Sequence, residues 1–379
     1  MDKKAAQSIN PIRLLLKALV LFIIINILWA AFEPQPGYYS IYSHLVRGRP
    51  RFPFGEVPQL AYNFTLDNLH AMFESHEIDI LPNPNQYTVL VLGDSSVWGT
   101  LLLPEETLSG QLNSLGLTEA ESNLPIRFYN LGYPTLSLTK DLIILDEALD
   151  EYEPDMVIWL VTLESMLWEH QLRSPIVQAN PHKIEHLTNR YNISFSKAAN
   201  QVEFLNFWQR TLIGRRREIA DIIRLQLYGI LWDATGIDQY YPEEYTAAAR
   251  ELDNDKTYYE YREGMLTGED LATELLVAGK NMDRQIPFLI VNEPVLISQG
   301  ENSDVRYNFY YPRWAYDQYR VIMSQQDDAN HWDYIDAWDL VSQEEFTNSA
   351  IHLTPDGTNL LAEHLADCFV ERGIWITID

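Results

Sequence analysis

The sequence predicts an α/β domain built on a parallel sheet, standing behind one N-terminal transmembrane helix. Three observations carry this. The runs Tyr87–Leu92 (YTVLVL), Met156–Val161 (MVIWLV) and 287–291 (PFLIV) are apolar throughout, as strands covered on both faces are. Between them, leucines recur at helical spacing, as at Leu138, Leu142, Leu145 and Leu149. One long apolar run, residues 14–32, precedes everything else.

In chain order, residues 1–13 form a basic N-terminus, with Lys3, Lys4 and Arg13 against Asp2. Residues 14–32 (LLLKALVLFIIINILWAAF) are interrupted only by Lys17 and Asn26. At the helical rise this span reaches about 28 Å, enough to cross a hydrocarbon core. Lys17 can snorkel toward the basic end, and Trp29 suits the opposite interface. The run is long for a signal-peptide core and Leu28-Trp29-Ala30-Ala31 is a poor small-x-small cleavage site, so the reading is an uncleaved signal anchor. The basic end then stays in the cytoplasm and the bulk of the chain lies outside it, at the cell surface or in the periplasm.

Residues 33–79 read as a juxtamembrane segment. It is first extended and proline-rich, with Arg47, Arg49 and Arg51 placed to lie against lipid headgroups, then helical from about 65 to 77. Residues 80–379 are the α/β domain. Its first strand is followed by a helix at 105–115, the strand Ile126–Asn130, the leucine-spaced helix and Met156–Val161. The rhythm breaks at about 165–255, a stretch rich in Trp, Tyr and Arg, which reads as an insertion. Its arginines form either a solvated face or a lid or membrane-facing cap. The sheet resumes at 287–291 and 333–337 and closes with an amphipathic helix from Pro355 to about Phe369.

Composition narrows the function. The chain has 379 residues, 46% hydrophobic and 21% charged, an ordinary globular balance that excludes disorder and a small disulfide scaffold. A net charge of −27 repels phosphate backbones and argues against nucleic-acid binding. The single cysteine, Cys368, cannot close an internal disulfide or build a cysteine metal cluster and reads as a buried core thiol. Nothing in the sequence demands a metal or an organic cofactor.

The most informative residues are Gly93-Asp94-Ser95, which follow the first strand directly. They put a serine at the carboxyl edge of a parallel sheet, where open α/β folds place their ligands. A hydroxyl is a weak nucleophile until a base takes its proton. His352, in a loop just before the last helix, is the candidate base, because loops after different strands converge on that same edge.

From about Tyr87 to the C-terminus the chain resembles the SGNH (GDSL-type) hydrolase family. Gly93-Asp94-Ser95 looks like its first block, Asn130-Leu131-Gly132 like its second, and His352-Leu353-Thr354-Pro355-Asp356-Gly357 like its last. The resemblance implies a three-layer α/β/α sandwich with a mainly parallel five-stranded, flavodoxin-like sheet. It also implies Ser95 as nucleophile, His352 as base, and the N–H groups of Ser95 and Gly132 in the oxyanion hole. Two positions depart from the pattern. The family's third-block asparagine is replaced within Val161-Thr162-Leu163-Glu164-Ser165, where Leu163 stands, so Thr162 or Asn292 would have to supply that donor. The aspartate three residues before the histidine is Ser349, which leaves a Ser-His dyad or a carboxylate from elsewhere, with Glu164 and Glu293 as candidates at the same sheet edge.

A competing motif, His182-Lys183-Ile184-Glu185-His186, matches the H-x-x-E-H pattern of inverted zinc peptidases, although surface histidines are the plainer reading. The expected function is a membrane-anchored, extracytoplasmic serine esterase that hydrolyses ester-bearing lipids or acylated glycans through an acyl-enzyme on Ser95. One alternative is an O-acyltransferase that modifies an envelope polysaccharide with a membrane-protein acyl-transfer partner. Another is a catalytically degenerate domain that binds glycans or scaffolds a membrane assembly.

Overall fold

A computed structural model of the chain describes residues 10–34, 36–54, 68–80, 85–235, 244–283 and 285–377. Lys3, Lys4 and the expected helix start near residue 65 lie outside them. Seven strands occur among these residues: β1 (Tyr87–Leu92), β2 (Leu117–Glu119), β3 (Ile126–Asn130), β4 (Met156–Val161), β5 (Phe288–Asn292), β6 (Asp333–Asp336) and β7 (Trp375–Thr377). Five form a parallel sheet in the order β3-β1-β4-β5-β6. The short β2 and β7 pair antiparallel in a second sheet that the hydrophobic pattern does not announce.

Successive strand residues point to opposite faces, and both faces are packed here. Leu90, Leu92, Val157, Trp159 and Ile290 enter one core, with residues of the Leu138–Glu151, Thr273–Met282 and Arg313–Asn330 helices. Val89, Val91, Ile158, Leu160 and Val291 enter the other, with residues of the Leu108–Ser114 and Pro355–Glu371 helices. The result is the expected three-layer α/β/α sandwich. Because β3 lies on one side of β1 and the later strands on the other, the chain reverses direction beside β1, where such sheets open a crevice at the strands' carboxyl ends.

The N-terminal apolar helix spans Pro11–Phe32, starting earlier than the hydrophobic run because Pro11 opens it and Asn10 caps it, accepting from Ile12 N at 3.1 Å. It is long and apolar enough to cross a membrane. The segment after it departs from expectation. Arg49 and Arg51 are buried in the domain rather than laid on headgroups, and only Arg47 stays exposed, paired with Asp79 at 3.2 Å. Tyr42, Phe52, Met72 and Phe73 from this stretch join the first core. Cys368 on the last helix packs against the second core but is only half-buried, 3.8 Å from His364 Nε2, rather than the fully buried thiol expected. No strand occurs between β4 and β5 among the described residues, which instead form short helices that include Pro181–Tyr191 and Arg216–Arg224.

Candidate active site

Strand β1 runs into Gly93-Asp94-Ser95, and local chemistry fixes the turn. A Cβ on Gly93 would sit 2.5 Å from Val97 Cγ2, so only glycine lets the chain fold back this tightly. Asp94 then caps the four-residue helix Ser95–Trp98, its Oδ1 accepting from Ser96 N at 2.8 Å. Ser95 is left half-exposed at the sheet's carboxyl edge. The far end of this small helix is held by Arg51. Its Nη1 donates to the carbonyls of Trp98, Gly99 and Leu102 at 3.3, 2.9 and 3.2 Å, and its guanidinium lies 4.2 Å from the centre of the Trp98 ring.

The His352 loop is built as a narrow return. Phe346 and Leu353 bridge antiparallel, and Thr347 N donates to His352 O at 2.8 Å. Thr354 then caps the last helix, accepting from Gly357 N at 3.0 Å. This brings His352 Nε2 to 2.8 Å from Ser95 Oγ. His352 Nδ1 lies 2.7 Å from Asn348 Oδ1. An amide oxygen only accepts, so Nδ1 carries the proton and Nε2 is left with the lone pair that faces the hydroxyl. Burial pulls the imidazole down to about 4, which keeps it neutral and proton-accepting at neutral pH.

Asn348 is the residue that sequence reasoning missed. It stands four residues before His352, one place earlier than the family position that Ser349 occupies, and the folded-back loop turns that spacing into contact. The carboxylate candidates are engaged elsewhere. Glu164 is buried, accepts from Tyr258 and Tyr259 hydroxyls at 3.3 and 3.0 Å, and lies 3.3 Å from His170 Nδ1. Glu293 accepts from the Ser96 hydroxyl beneath the turn.

The oxyanion candidates separate in the same way. Among the described residues, Ser95 N–H donates to no protein acceptor and stands beside its own hydroxyl. Gly132 packs against the turn so closely that a Cβ there would lie 2.4 Å from Trp98 N, but its N–H donates to Asn130 Oδ1 at 3.0 Å. Asn292 is fully buried and faces away, donating to Asp336 at 2.7 Å and accepting from Tyr316 and Tyr319 at 3.1 and 3.2 Å. Thr162 caps its own turn and pairs with Tyr311 OH at 2.6 Å.

Under the turn lies a buried set of charges. Lys140 Nζ donates to Gly93 O at 2.7 Å and Tyr133 O at 3.0 Å, and lies 2.6 Å from Asp141. Burial raises the carboxyls of Asp94, Asp141 (to about 6) and Glu293, the last well above its ordinary range with Asp94 adding to the effect. The H-x-x-E-H residues sit apart on the Pro181–Tyr191 helix. His186 has Asp146 at 3.6 Å and Arg190 at 3.4 Å, the latter an unfavourable neighbour for a metal cation.

No family model matches the chain, and no curated protein matches it in sequence. Among solved structures it is similar to a carbohydrate acetylesterase from Sinorhizobium meliloti at 15% identity, covering 76% of this chain and 100% of that one, with a TM-score of 0.34. It is similar to an inhibitor-bound aryl esterase from M. smegmatis at 14% identity, over 75% of this chain and 98% of that one, with a TM-score of 0.35. A member of the lipolytic G-D-S-L family from Veillonella parvula has 10% identity over 75% and 98% of the two chains, with a TM-score of 0.34. These likenesses are too distant to bear on the chemistry, which rests on the contacts of Ser95, His352 and Asn348.

Proposed function

We propose that the chain is a membrane-anchored serine esterase of the SGNH type that hydrolyses acyl esters outside the cytoplasm. The observation that carries the reading is the continuous relay from Asn348 Oδ1 to His352 to Ser95 Oγ, with spacings of 2.7 and 2.8 Å, at the carboxyl edge of the sheet. Ser95 Oγ attacks the ester carbonyl while His352 Nε2 takes its proton, and Ser95 N–H donates to the oxygen that becomes negative. Collapse of the intermediate breaks the ester bond, and His352 returns the proton to the leaving alkoxide. A water, deprotonated by the same nitrogen, then attacks the acyl group on Ser95. The carboxylic acid departs and the serine hydroxyl is restored.

Asn348 takes the part that a carboxylate has in the more familiar triads. It fixes the imidazole's tautomer and orientation but adds no negative charge to stabilise the imidazolium. The Pro11–Phe32 helix supports anchoring, and the basic residues at its N-terminal end support an extracytoplasmic domain. The test is hydrolysis of a short-chain chromogenic acyl ester by the full-length protein in detergent. Turnover that is lost in Ser95→Ala and in His352→Ala is expected. Equal rates for all three chains would overturn the reading.

A further inference from the structure

The insertion between β4 and β5 reaches back to the apolar N-terminal helix and touches it within its apolar length. Ile213 N donates to Asn26 Oδ1 at 3.2 Å, and Arg210 pairs with Glu33 just past the helix end. Asn26 stands six residues before Phe32, which at the helical rise is about 9 Å below the helix terminus. An asparagine at that depth in a bilayer is costly unless satisfied. Here its amide donates to Phe22 O at 2.9 Å, and its oxygen is satisfied by the insertion.

The loop that makes this contact has the polar economy of a lipid-facing segment. Asn206 Oδ1 accepts from Trp208 N and Gln209 N at 3.0 and 3.1 Å, and Asn206 N donates to Gln209 Oε1 at 2.9 Å. Arg210, Thr211 and Arg215 N–H groups find carbonyls inside the loop, and Gly214 N donates to Thr211 Oγ1. With its own backbone donors so largely satisfied, the loop turns apolar side chains outward. Phe207 and Ile213 are exposed, and Trp208 is 75% exposed. A loop in water needs neither property, whereas satisfied backbone donors with apolar side chains turned outward suit a segment at the headgroup–acyl boundary of a bilayer. The Arg216–Arg224 helix that follows continues the surface, with Ile223 and, one turn on, Leu227 exposed. Of the five arginines here, Arg210, Arg215 and Arg224 pair with Glu33, Glu218 and Asp221, which leaves Arg216 and Arg217 as a local positive excess suited to anionic headgroups in a chain of net −27.

The geometry points to residues 204–227 as a membrane-inserted wedge: the 206–215 loop sits in the outer leaflet beside the Pro11–Phe32 helix, and the Arg216–Arg224 helix lies along the headgroup layer. The inference rests on the proposed anchoring of that helix. It adds a second point of attachment, which would fix the orientation of the domain on the bilayer and so the approach of Ser95 to acyl chains or glycans near that surface.

The test uses the full-length chain with Cys368→Ser, carrying one fluorescent label at a time through Trp208→Cys, Leu227→Cys, Leu21→Cys or Glu301→Cys. Each labelled chain is first checked for an unchanged melting transition; the Trp208 and Leu227 sites are exposed and tolerate substitution. In phosphatidylcholine vesicles containing phosphatidylglycerol, nitroxide lipids report hydrocarbon contact and iodide reports water. At positions 208 and 21 the ratio of lipid to aqueous quenching is expected to exceed that at 301 several-fold, with 227 in between. Water-exposed labels at 208 and 227 with a lipid-quenched label at 21 would overturn the wedge and leave the anchor, and would assign the apolar face to a protein partner. A water-exposed label at 21 would overturn both.

Discussion

Burial holds His352 down at about 4, and Asn348, unlike an aspartate, brings no charge to lift it. The base is therefore competent once pH rises above that value, and the acid limb of kcat/KM is expected near pH 4 rather than at the ordinary imidazole value near 6.5. Asn348→Asp would place a carboxylate against Nδ1 and favour the imidazolium, so the limb should move upward by roughly one to three pH units. Asn348→Ala removes the group that fixes the tautomer, and kcat should fall on the order of 10²–10⁴-fold with the fold intact. A pH–rate series on the three chains checks both expectations together. Glu293 offers a separate test, because its buried carboxyl is raised well above the ordinary range. A raised acid loses its stabilising contribution as pH climbs through its folded-state value, since the unfolded chain releases the proton first. Glu293→Gln should therefore melt at or above wild type at pH 8, with the difference shrinking toward pH 4.5. An unchanged difference across that range would place the carboxyl among ordinary acids.

The four-residue helix Ser95–Trp98 is too short to hold itself, and its position comes from neighbours. Arg51 donates to three carbonyls around its end from a nearly buried position. Arg51→Ala strips a charged donor from buried acceptors and should cost about 2–3 kcal/mol in urea unfolding. Gly132→Ala would drive a methyl to within 2.4 Å of Trp98 N, so the turn must shift. A loss of about 1–3 kcal/mol is expected, together with a slower reaction of Ser95 with serine-directed probes. The elements also explain what the sequence reveals and what it hides. Strands β1 and β4 are legible because burial makes them almost wholly apolar, and β3 (IRFYN) as a short aromatic run in the alternation of strands and helices despite Arg127; the observed bounds of all three match the runs read from the sequence. Strands β2 and β7 have three residues each and no pattern long enough to detect.

At the scale of the whole molecule, the serine and histidine were legible because the parallel topology brings loops after β1 and β6 to one edge. Topology does not say which way a side chain points. Asn292 ends β5 at that edge, yet its side chain turns toward Asp336 and the tyrosines of the Arg313–Asn330 helix. Glu164 and Glu293 likewise follow core strands and are consumed by tyrosines and Ser96. The third member of the relay comes instead from the fold-back at Asn348, a signal visible only as an amide four residues before the histidine. The arginines at 47–51 show the same limit, since Arg51 donates to carbonyls at the far end of the Ser95–Trp98 helix and ties the segment after the N-terminal helix to the site. Activation of Ser95 by this arrangement is read directly by intact mass of the full-length protein after exposure to a fluorophosphonate. A single adduct is expected, absent in Ser95→Ala and forming far more slowly in His352→Ala. Well-folded protein that takes no adduct, or one that persists in Ser95→Ala, would contradict that activation.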